Sequence, residues 1–186
     1  MESQIVILLL LIILLWKCRR QIENFVNREN VCNNIDGRCY SVVTKLPLST
    51  HVTTSEVLAK VNKFAINFMR YMRNKHLWNK SNNQHRMDLT EFLLSNYNPD
   101  KLIENLPLDA DSTSYVEDKG QTTFAICLRN YINGSGDFLP DHIVEFVTLH
   151  EMAHMSTREY GHNLDFWINF KILLIEAANA GLHTPI

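Results

Sequence analysis

The sequence predicts a small α+β domain, with helices packed on a short sheet, tethered by one N-terminal transmembrane helix. Three observations lead to this fold class: an unbroken apolar run near the N-terminus, apolar residues at helical spacing in several later segments, and two strand-like segments joined by a turn. The chain has 186 residues, enough for one compact domain and an anchor. We expect an anchor at residues 1–20, a linker at residues 21–50 and a folded domain at residues 51–186.

The apolar run covers residues 5–16 and is followed at once by Lys17, Arg19 and Arg20. Residues 1–18 would form about 27 Å of helix, close to the roughly 30 Å hydrocarbon core of a bilayer. A cleaved signal peptide is the alternative, but it would carry its cations before the apolar block. The charge distribution therefore predicts a single-pass membrane protein whose C-terminal domain faces the cytoplasm.

Composition and cysteine spacing narrow the function classes. The net charge of −2 and the pI of about 6.4 give no electrostatic reason to expect nucleic acid as a partner. No two of the four cysteines form a CxxC pair, which argues against a cysteine-based zinc site. Cys32 and Cys39 flank a turn-rich hexapeptide that could close a disulfide loop. We expect two free thiols there, because the predicted anchor favours a reducing compartment.

Signals of secondary structure follow the predicted linker. Thr53 and Glu56 have the spacing of a helix capping pair, and apolar residues at helical spacing continue from there to Met72. Residues 113–117 and 121–129 read as two strands joined by an Asp-Lys-Gly turn. The remaining segments predict a loop at residues 75–86, a helix at 88–96, a helix from Pro99 to about residue 106, a loop at 133–140, a helix at 141–157 and a last helix at 163–180.

Residues 150–154 read His-Glu-Met-Ala-His, an HExxH motif inside an apolar segment of the predicted helix. His150 and His154 lie one above the other on a helix face, so both imidazoles can reach one ion about 2.0–2.1 Å from each nitrogen. Glu151 lies about 100° round the helix, where a carboxylate can take a proton from bound water. A chance match to the motif is expected about 0.02 times in a chain of this composition. The motif therefore indicates a zinc site.

A catalytic zinc ion usually has three protein ligands and one open position. His162 follows Gly161, and glycine can take the backbone conformation needed to end a helix and turn the chain back. We therefore predict His162 as the third ligand; a helix-capping or surface histidine is the alternative reading of this residue. Glu176, on the next predicted helix, is a rival ligand, whereas Glu159 and Asp165 look less well aimed.

Other residues near the motif are read in simpler ways. Three residues are candidates for stabilising an oxyanion, and the sequence does not choose among Tyr160, Arg158 and His142. The strand at residues 124–128 would form sheet core, or offer an edge on which a peptide substrate adds as a strand. We expect the histidines outside the site to be surface residues: His51, His76, His85, His142 and His183.

These residues together predict a zinc-dependent peptidase that hydrolyses peptide bonds in protein substrates near a membrane. Zn²⁺ lowers the pKa of its bound water toward about 7. Glu151 activates this zinc-bound water by accepting its proton, which then passes to the leaving amine. The expected partners are a protein or peptide substrate and a membrane, with no nucleic acid; the sequence does not determine the oligomeric state.

The strings TFAICLR, LHEMAH and GHNLDFW resemble the zincin-like metallopeptidases of the WLM, SprT-like and YgjP-like groups. They are most similar to short predicted metallopeptidases of large DNA viruses, and the resemblance covers about residues 115–182. It implies a zincin-like domain with HExxH on a central helix, in a viral protein of a host-cell or virion membrane. It implies three zinc ligands and one catalytic carboxylate, namely His150, His154, His162 and Glu151. It also implies core packing behind the site by Phe166, Trp167 and Phe170.

Two departures from the family pattern affect this reading. The gap from His154 to His162 is longer than in the shortest relatives, and no methionine follows Met155, which excludes the metzincins. Two other functions stay open. One is a non-catalytic, membrane-anchored protein with a structural metal site, such as a viral membrane or virion component. The other is a DNA-associated peptidase of the SprT-like or WLM kind, against which the acidic pI argues.

Overall fold

The structure is a computed structural model that describes residues 28–44, 50–78, 83–106, 114–130 and 136–184. Within these ranges the chain forms an α+β domain with a five-stranded mixed sheet, a two-stranded sheet and α-helices packed against the larger sheet and each other. The α+β class and the packing of helices on a short sheet are therefore as the sequence predicts.

Strands and helices follow one another along the chain as two strands, two helices, a block of short strands and two final helices. The strands are β1 (Arg28–Cys32), β2 (Cys39–Val43), β3 (Leu102–Asn105), β4 (Tyr115–Glu117), β5 (Thr123–Cys127), β6 (Arg129–Asn130) and β7 (Asp137–Phe138). The helices are α1 (His51–Met72), α2 (Gln84–Asn96), α3 (Asp141–Ser156) and α4 (Leu164–Asn179). A π-helical stretch covers Arg73–Trp78, and short 3₁₀ turns cover Pro99–Lys101 and Asp118–Gly120.

The larger sheet has the strand order β1-β2-β3-β5-β4. Strand β3 pairs in parallel with β2 and β5, whereas β1 and β4 pair antiparallel at the two ends. Strand β5 is almost wholly buried and apolar, which suits a strand with neighbours on both sides. The expectation that this strand offers a free edge is therefore wrong. Among the described residues, the edge next to β5 belongs to β4.

The helices form a layer that places α3 at the centre of the domain. Helix α1 packs on β1, β2 and β3, while α3 contacts β4 and β5 and is flanked by the other helices. Apolar side chains of α3 and β5 meet in one core, with Phe124, Ile126, Leu149 and Met152 all fully buried. The prediction that HExxH lies on a central helix is confirmed by this arrangement.

The predictions of a transmembrane helix and of a single-pass membrane location are wrong for the part of the chain that the structure describes. Across the described ranges, no helix has both the length and the apolar character needed to cross a bilayer. The proposed anchor, residues 1–20, lies outside the described residues. Helix length alone is not sufficient for a span: α1 has 22 residues, but its exposed face carries several lysine and arginine side chains.

The predicted linker at residues 21–50 is wrong for its described part, which forms the β1–β2 hairpin. The expectation of free thiols is also wrong, because Cys32 and Cys39 form a disulfide across this hairpin. The Asn33 side chain accepts hydrogen bonds from the backbone N–H groups of Ile35 and Asp36 at 2.9 and 3.4 Å. Asn33 thus stabilises the turn between the two strands.

Boundaries of the other elements agree with the sequence where the signals are local. The hairpin of β4 and β5, helix α3 and helix α4 are confirmed. The helix expected after Pro99 is wrong: one 3₁₀ turn forms and the chain then enters β3. The loop expected at residues 75–86 is also wrong, since helical structure covers residues 75–78 and α2 begins at Gln84.

Candidate metal centre

Helix α3 supplies two histidines to one face. Its interior side is fixed by buried Thr148, Leu149 and Met152, so the helix cannot rotate without opening the core. His150 and His154 then project from the partly exposed side, with their ring centroids 5.1 Å apart. Side chains separated by four residues on a helix lie above one another, which explains this pairing.

The connection between α3 and α4 brings the third histidine to the same place. Helix α3 ends at Ser156, and Gly161 adopts a left-handed backbone with φ +85° that favours glycine. His162 follows directly, and the Asn163 side chain caps α4 by accepting a hydrogen bond from the backbone N–H of Phe166 at 2.9 Å. Nε2 of His162 lies 3.1 Å from Nε2 of His150.

The three imidazoles form one compact donor set. One ring nitrogen from each of His150, His154 and His162 lies within 4.8 Å of the other two. Nitrogens about 2.0–2.1 Å from one tetrahedral ion are about 3.3 Å apart. The separation of 3.1 Å between His150 and His162 is close to this value, and the donor set as a whole spans at most 4.8 Å. The structure therefore brings together all three residues that the sequence singled out as ligands.

Burial favours the neutral form of the two histidines of α3. Burial, followed by the neighbouring His150, His162 and Lys119, lowers the pKa of His154 to about 4. Burial and the adjacent His162 also lower the pKa of His150. Metal ions bind the unprotonated imidazole, so these two shifts favour cation binding over protonation at neutral pH.

An aromatic wall lies behind the histidines. The ring of Phe166 is fully buried and its centroid lies 5.0, 4.3 and 4.6 Å from those of His150, His154 and His162. Phe170 is also buried, with its ring 5.2 Å from that of His150. The expectation of core packing is confirmed for these two phenylalanines. It is wrong for Trp167, which is 51% exposed and packs beside His162 at the rim.

Glu151, the buried acidic residue of the HExxH motif, directly follows His150 in α3. It is 3% exposed, and no hydrogen-bond partner for its Oε2 atom is present among the described residues. Burial raises the pKa of this carboxyl group to about 8. A buried carboxyl group with a raised pKa, one residue after a candidate metal ligand, is a candidate proton-transferring group.

Glu176, the rival ligand, lies in a different cluster. Its buried carboxylate accepts hydrogen bonds from Lys75 Nζ at 2.6 Å and Tyr71 Oη at 3.2 Å, and it also forms an ion pair with Arg86. Among the described residues, the candidate metal cluster contains the three histidines without Glu176. The geometry thus favours His162 over Glu176 as the third member of the site.

The histidines outside the site divide into two groups. His85 and His142 are exposed, as expected. His51, His76 and His183 are buried, so the expectation of surface positions is wrong for these three. His51 and His183 lie within reach of the carboxylates of glutamates, which supply a polar partner for a buried ring.

The three candidates for oxyanion stabilisation occupy different positions. Tyr160 is 74% exposed in the loop before His162, and Arg158 lines a separate cleft of about 310 Å³ between that loop and α2. His142 lies in the first turn of α3, two helical turns before His150. Of the three, Tyr160 is nearest in the chain to the third histidine.

Sequence reasoning did not identify Lys119 as a residue of this neighbourhood. Its side chain is 9% exposed, and its Nζ donates a hydrogen bond to the backbone carbonyl of Glu159 at 2.7 Å. Burial lowers the pKa of Lys119. The sequence presents this lysine only as the middle of a polar hairpin turn, and no local pattern shows that a turn lysine will be buried.

Part of this chain is similar in sequence to a viral protein. The chain is 31% identical over 91 residues to an uncharacterized protein, 136R, of Invertebrate iridescent virus 6. That stretch is 49% of this chain and 50% of the viral protein, so the chain matches about half the length of this relative. No protein-family model matches the chain, and no solved structure matches it. The chemistry of the site is thus the main guide to function.

Proposed function

We propose that the chain is a zinc-dependent peptidase that hydrolyses peptide bonds in protein substrates. One observation carries the proposal: three imidazole groups converge within 4.8 Å of one another, and the helix that carries two of them also carries the buried Glu151, whose Oε2 atom has no hydrogen-bond partner among the described residues. Three imidazole ligands suit Zn²⁺, and three protein ligands leave one coordination position open. Structural zinc sites usually have four protein ligands, so this donor set favours catalysis over a purely structural role.

The residues of the chain have distinct roles in this proposal. His150, His154 and His162 would hold the ion, and a zinc ion there would supply a Lewis acid that polarises a peptide carbonyl. Glu151 accepts the proton of the attacking water at its Oε2 atom, which has no hydrogen-bond partner among the described residues, and returns it to the nitrogen of the leaving amine. Phe166 excludes water from the inner side of the three rings, because its own ring is fully buried against them.

Access to the site also supports an enzyme. His162 is exposed and packs beside the exposed ring of Trp167, so an extended polypeptide could approach the donor set from the solvent side. A net charge of −2 gives no support to a DNA-associated peptidase.

Glu151→Gln separates an enzyme from a non-catalytic zinc protein. The protein is loaded with one equivalent of zinc and incubated with an unstructured polypeptide substrate, and cleavage is followed by mass spectrometry. The enzyme proposal expects turnover to fall about 10²- to 10⁴-fold in Glu151→Gln, the usual contribution of a general base, while zinc content is unchanged. Glu91→Gln, at an exposed glutamate of α2, is the matched control and should behave as the wild type. Equal cleavage by all three proteins, or none by the zinc-loaded wild type on any polypeptide tested, would overturn the proposal.

A further inference from the structure

The turn between β4 and β5 has an unusual backbone. Asp118, Lys119 and Gly120 adopt φ values of 46°, 57° and 90°, so three consecutive residues are left-handed. A left-handed conformation costs a residue other than glycine about 1–2 kcal/mol, and it persists where surrounding contacts compensate for that cost. The contacts of this turn therefore show what stabilises its left-handed residues.

One set of contacts joins the turn to the metal helix. Gly120 lies so close to Met155 that a Cβ atom at this position would be 3.0 Å from the Met155 methyl carbon. Met155 is fully buried and directly follows His154 on α3. The turn is thus packed against the C-terminal part of the helix that carries two of the three histidines.

A second set of contacts joins the turn to the α3–α4 loop. Lys119 is buried, its Nζ donates a hydrogen bond to the carbonyl oxygen of Glu159 at 2.7 Å, and it lies 4.1 Å from the centroid of the Tyr160 ring. A desolvated ammonium group makes strong hydrogen bonds and cation–π contacts. These contacts are made to residues 159 and 160, three and two positions before His162.

The same loop is held on its other side by α4. The Glu159 carboxylate accepts a hydrogen bond from Asn163 Nδ2 at 2.9 Å, and Asn163 is the cap residue of α4. Lys119 therefore binds the loop from the sheet side while Asn163 binds it from the helix side. In the chain, His162 lies between Glu159, which receives both hydrogen bonds, and Asn163.

We propose that Lys119 is a positioning residue that holds the α3–α4 loop so that His162 meets His150 and His154. This inference rests on the proposed zinc site. The lysine acts through the loop and not as a ligand, because its ammonium group already donates to Glu159 and carries a positive charge. That charge also lies near His154 and disfavours a second cation, so its net benefit to metal binding must come through His162.

Lys119→Met tests the inference, since methionine retains apolar bulk but removes the ammonium group. Zinc affinity is measured by competition with a chromophoric chelator. We expect affinity to fall about 10- to 100-fold, the usual effect of losing a residue that orients a ligand. Lys119→Arg, which keeps charge and donors, should recover most of the affinity. Lys63→Met, at an exposed lysine of α1, is the control and should bind as the wild type.

A double-mutant cycle distinguishes positioning from general destabilisation. In a His162→Ala background the loop has no ligand to position, so Lys119→Met should cause no further loss of zinc affinity. Equal losses in both backgrounds, or wild-type affinity in Lys119→Met alone, would overturn the inference while leaving the zinc site intact. Absence of zinc binding by the wild-type protein would instead overturn the proposed function, and the inference with it.

Amide hydrogen exchange of the metal-free protein provides a readout that does not depend on zinc. If Lys119 fixes the loop, Lys119→Met should accelerate exchange at residues 158–162 and leave the amides of β5 unchanged. Acceleration throughout the domain would mean that the variant is destabilised globally, and unchanged exchange in the loop would mean that Lys119 does not hold it. Either result would contradict the positioning role.

Discussion

Glu151→Gln should make the metal-free protein more stable near neutral pH than the wild type. The Glu151 carboxyl group is 3% exposed, and burial raises its pKa from 4.5 to about 8. The folded state therefore retains a proton that the unfolded state releases above pH 4.5. The contribution of Glu151 to the free energy of unfolding is fully present below that pH and is lost as pH rises through about 8.

The size of the effect follows from the same shift. Each pKa unit corresponds to about 1.4 kcal/mol, so the wild type should lose on the order of 3 kcal/mol between pH 4.5 and pH 7 through this group. Glutamine does not ionise, so Glu151→Gln should not show that loss. A residue needed for proton transfer would thus reduce the stability of the empty fold, as active-site residues often do.

The assay is urea unfolding with a metal chelator present, from pH 5 to pH 8.5, for the wild type, Glu151→Gln and the surface control Glu91→Gln. Both His150 and His154 also change stability with pH, but they are common to all three proteins. The difference between wild type and Glu151→Gln therefore isolates Glu151. A difference that does not change with pH, or a wild type that gains stability relative to the variant as pH rises, would refute the reasoning.

Three further predictions concern the framework around the site. Arg129→Met should destabilise the fold by about 3–5 kcal/mol in urea unfolding, because it leaves the fully buried Glu104 carboxylate without its ion-pair partner; a loss below about 1 kcal/mol would contradict this. Replacing Cys32 and Cys39 by serine should lower the free energy of unfolding by about 2–3 kcal/mol, as expected for a short closed loop, and an unchanged denaturation midpoint would argue against that role. Asp36→Asn should flatten the acid limb of a stability–pH curve. Burial acts to raise the pKa of Asp36, but its hydrogen bonds and the charge of Arg38 lower the pKa overall. The ionised Asp36 therefore stabilises the wild type above the pKa of the unfolded state, and this stabilisation is lost as pH falls through the pKa of the folded state. Identical acid limbs for the wild type and Asp36→Asn would contradict this.

The parts of the site that depend on local spacing could be predicted from the sequence. His150 and His154 follow from helical periodicity, and helix α3 follows from its apolar pattern. His162 needed one more element, a glycine able to reverse the chain, and Gly161 supplies it with a left-handed backbone. Short-range rules were sufficient because these residues lie within thirteen positions of each other.

The parts that depend on distant contacts could not be predicted. Glu104 in β3 is fully buried because Arg129 and the backbone N–H of Val43 satisfy it, and no local pattern reveals partners 25 and 61 residues away. Because β3 is short, contains a glutamate and follows Pro99, its sequence is also compatible with the first turns of a helix. The burial of Lys119 likewise depends on a carbonyl oxygen 40 residues later in the chain.

The β1–β2 hairpin could not be predicted from the sequence for a related reason. Each strand has only five residues, and β1 is largely polar with no buried residue, so the alternation of apolar and polar residues along the hairpin is weak. Its stability comes from the disulfide and from the Asp36 carboxylate, which accepts hydrogen bonds from Tyr40 and from Asn62 of α1. Asparagine and aspartate in such a segment are as typical of a hydrogen-bonded turn as of a linker.

Zinc content measured on purified wild type, His162→Ala and the exposed control His142→Ala tests the central claim most directly. Each protein is stripped of metal, offered zinc, desalted and analysed for zinc by mass spectrometry. Convergence of the three rings leads us to expect one zinc ion per chain in the wild type and in His142→Ala, and a substantial loss in His162→Ala. Full retention of zinc by His162→Ala, or no zinc in the wild type, would contradict a three-histidine metal centre.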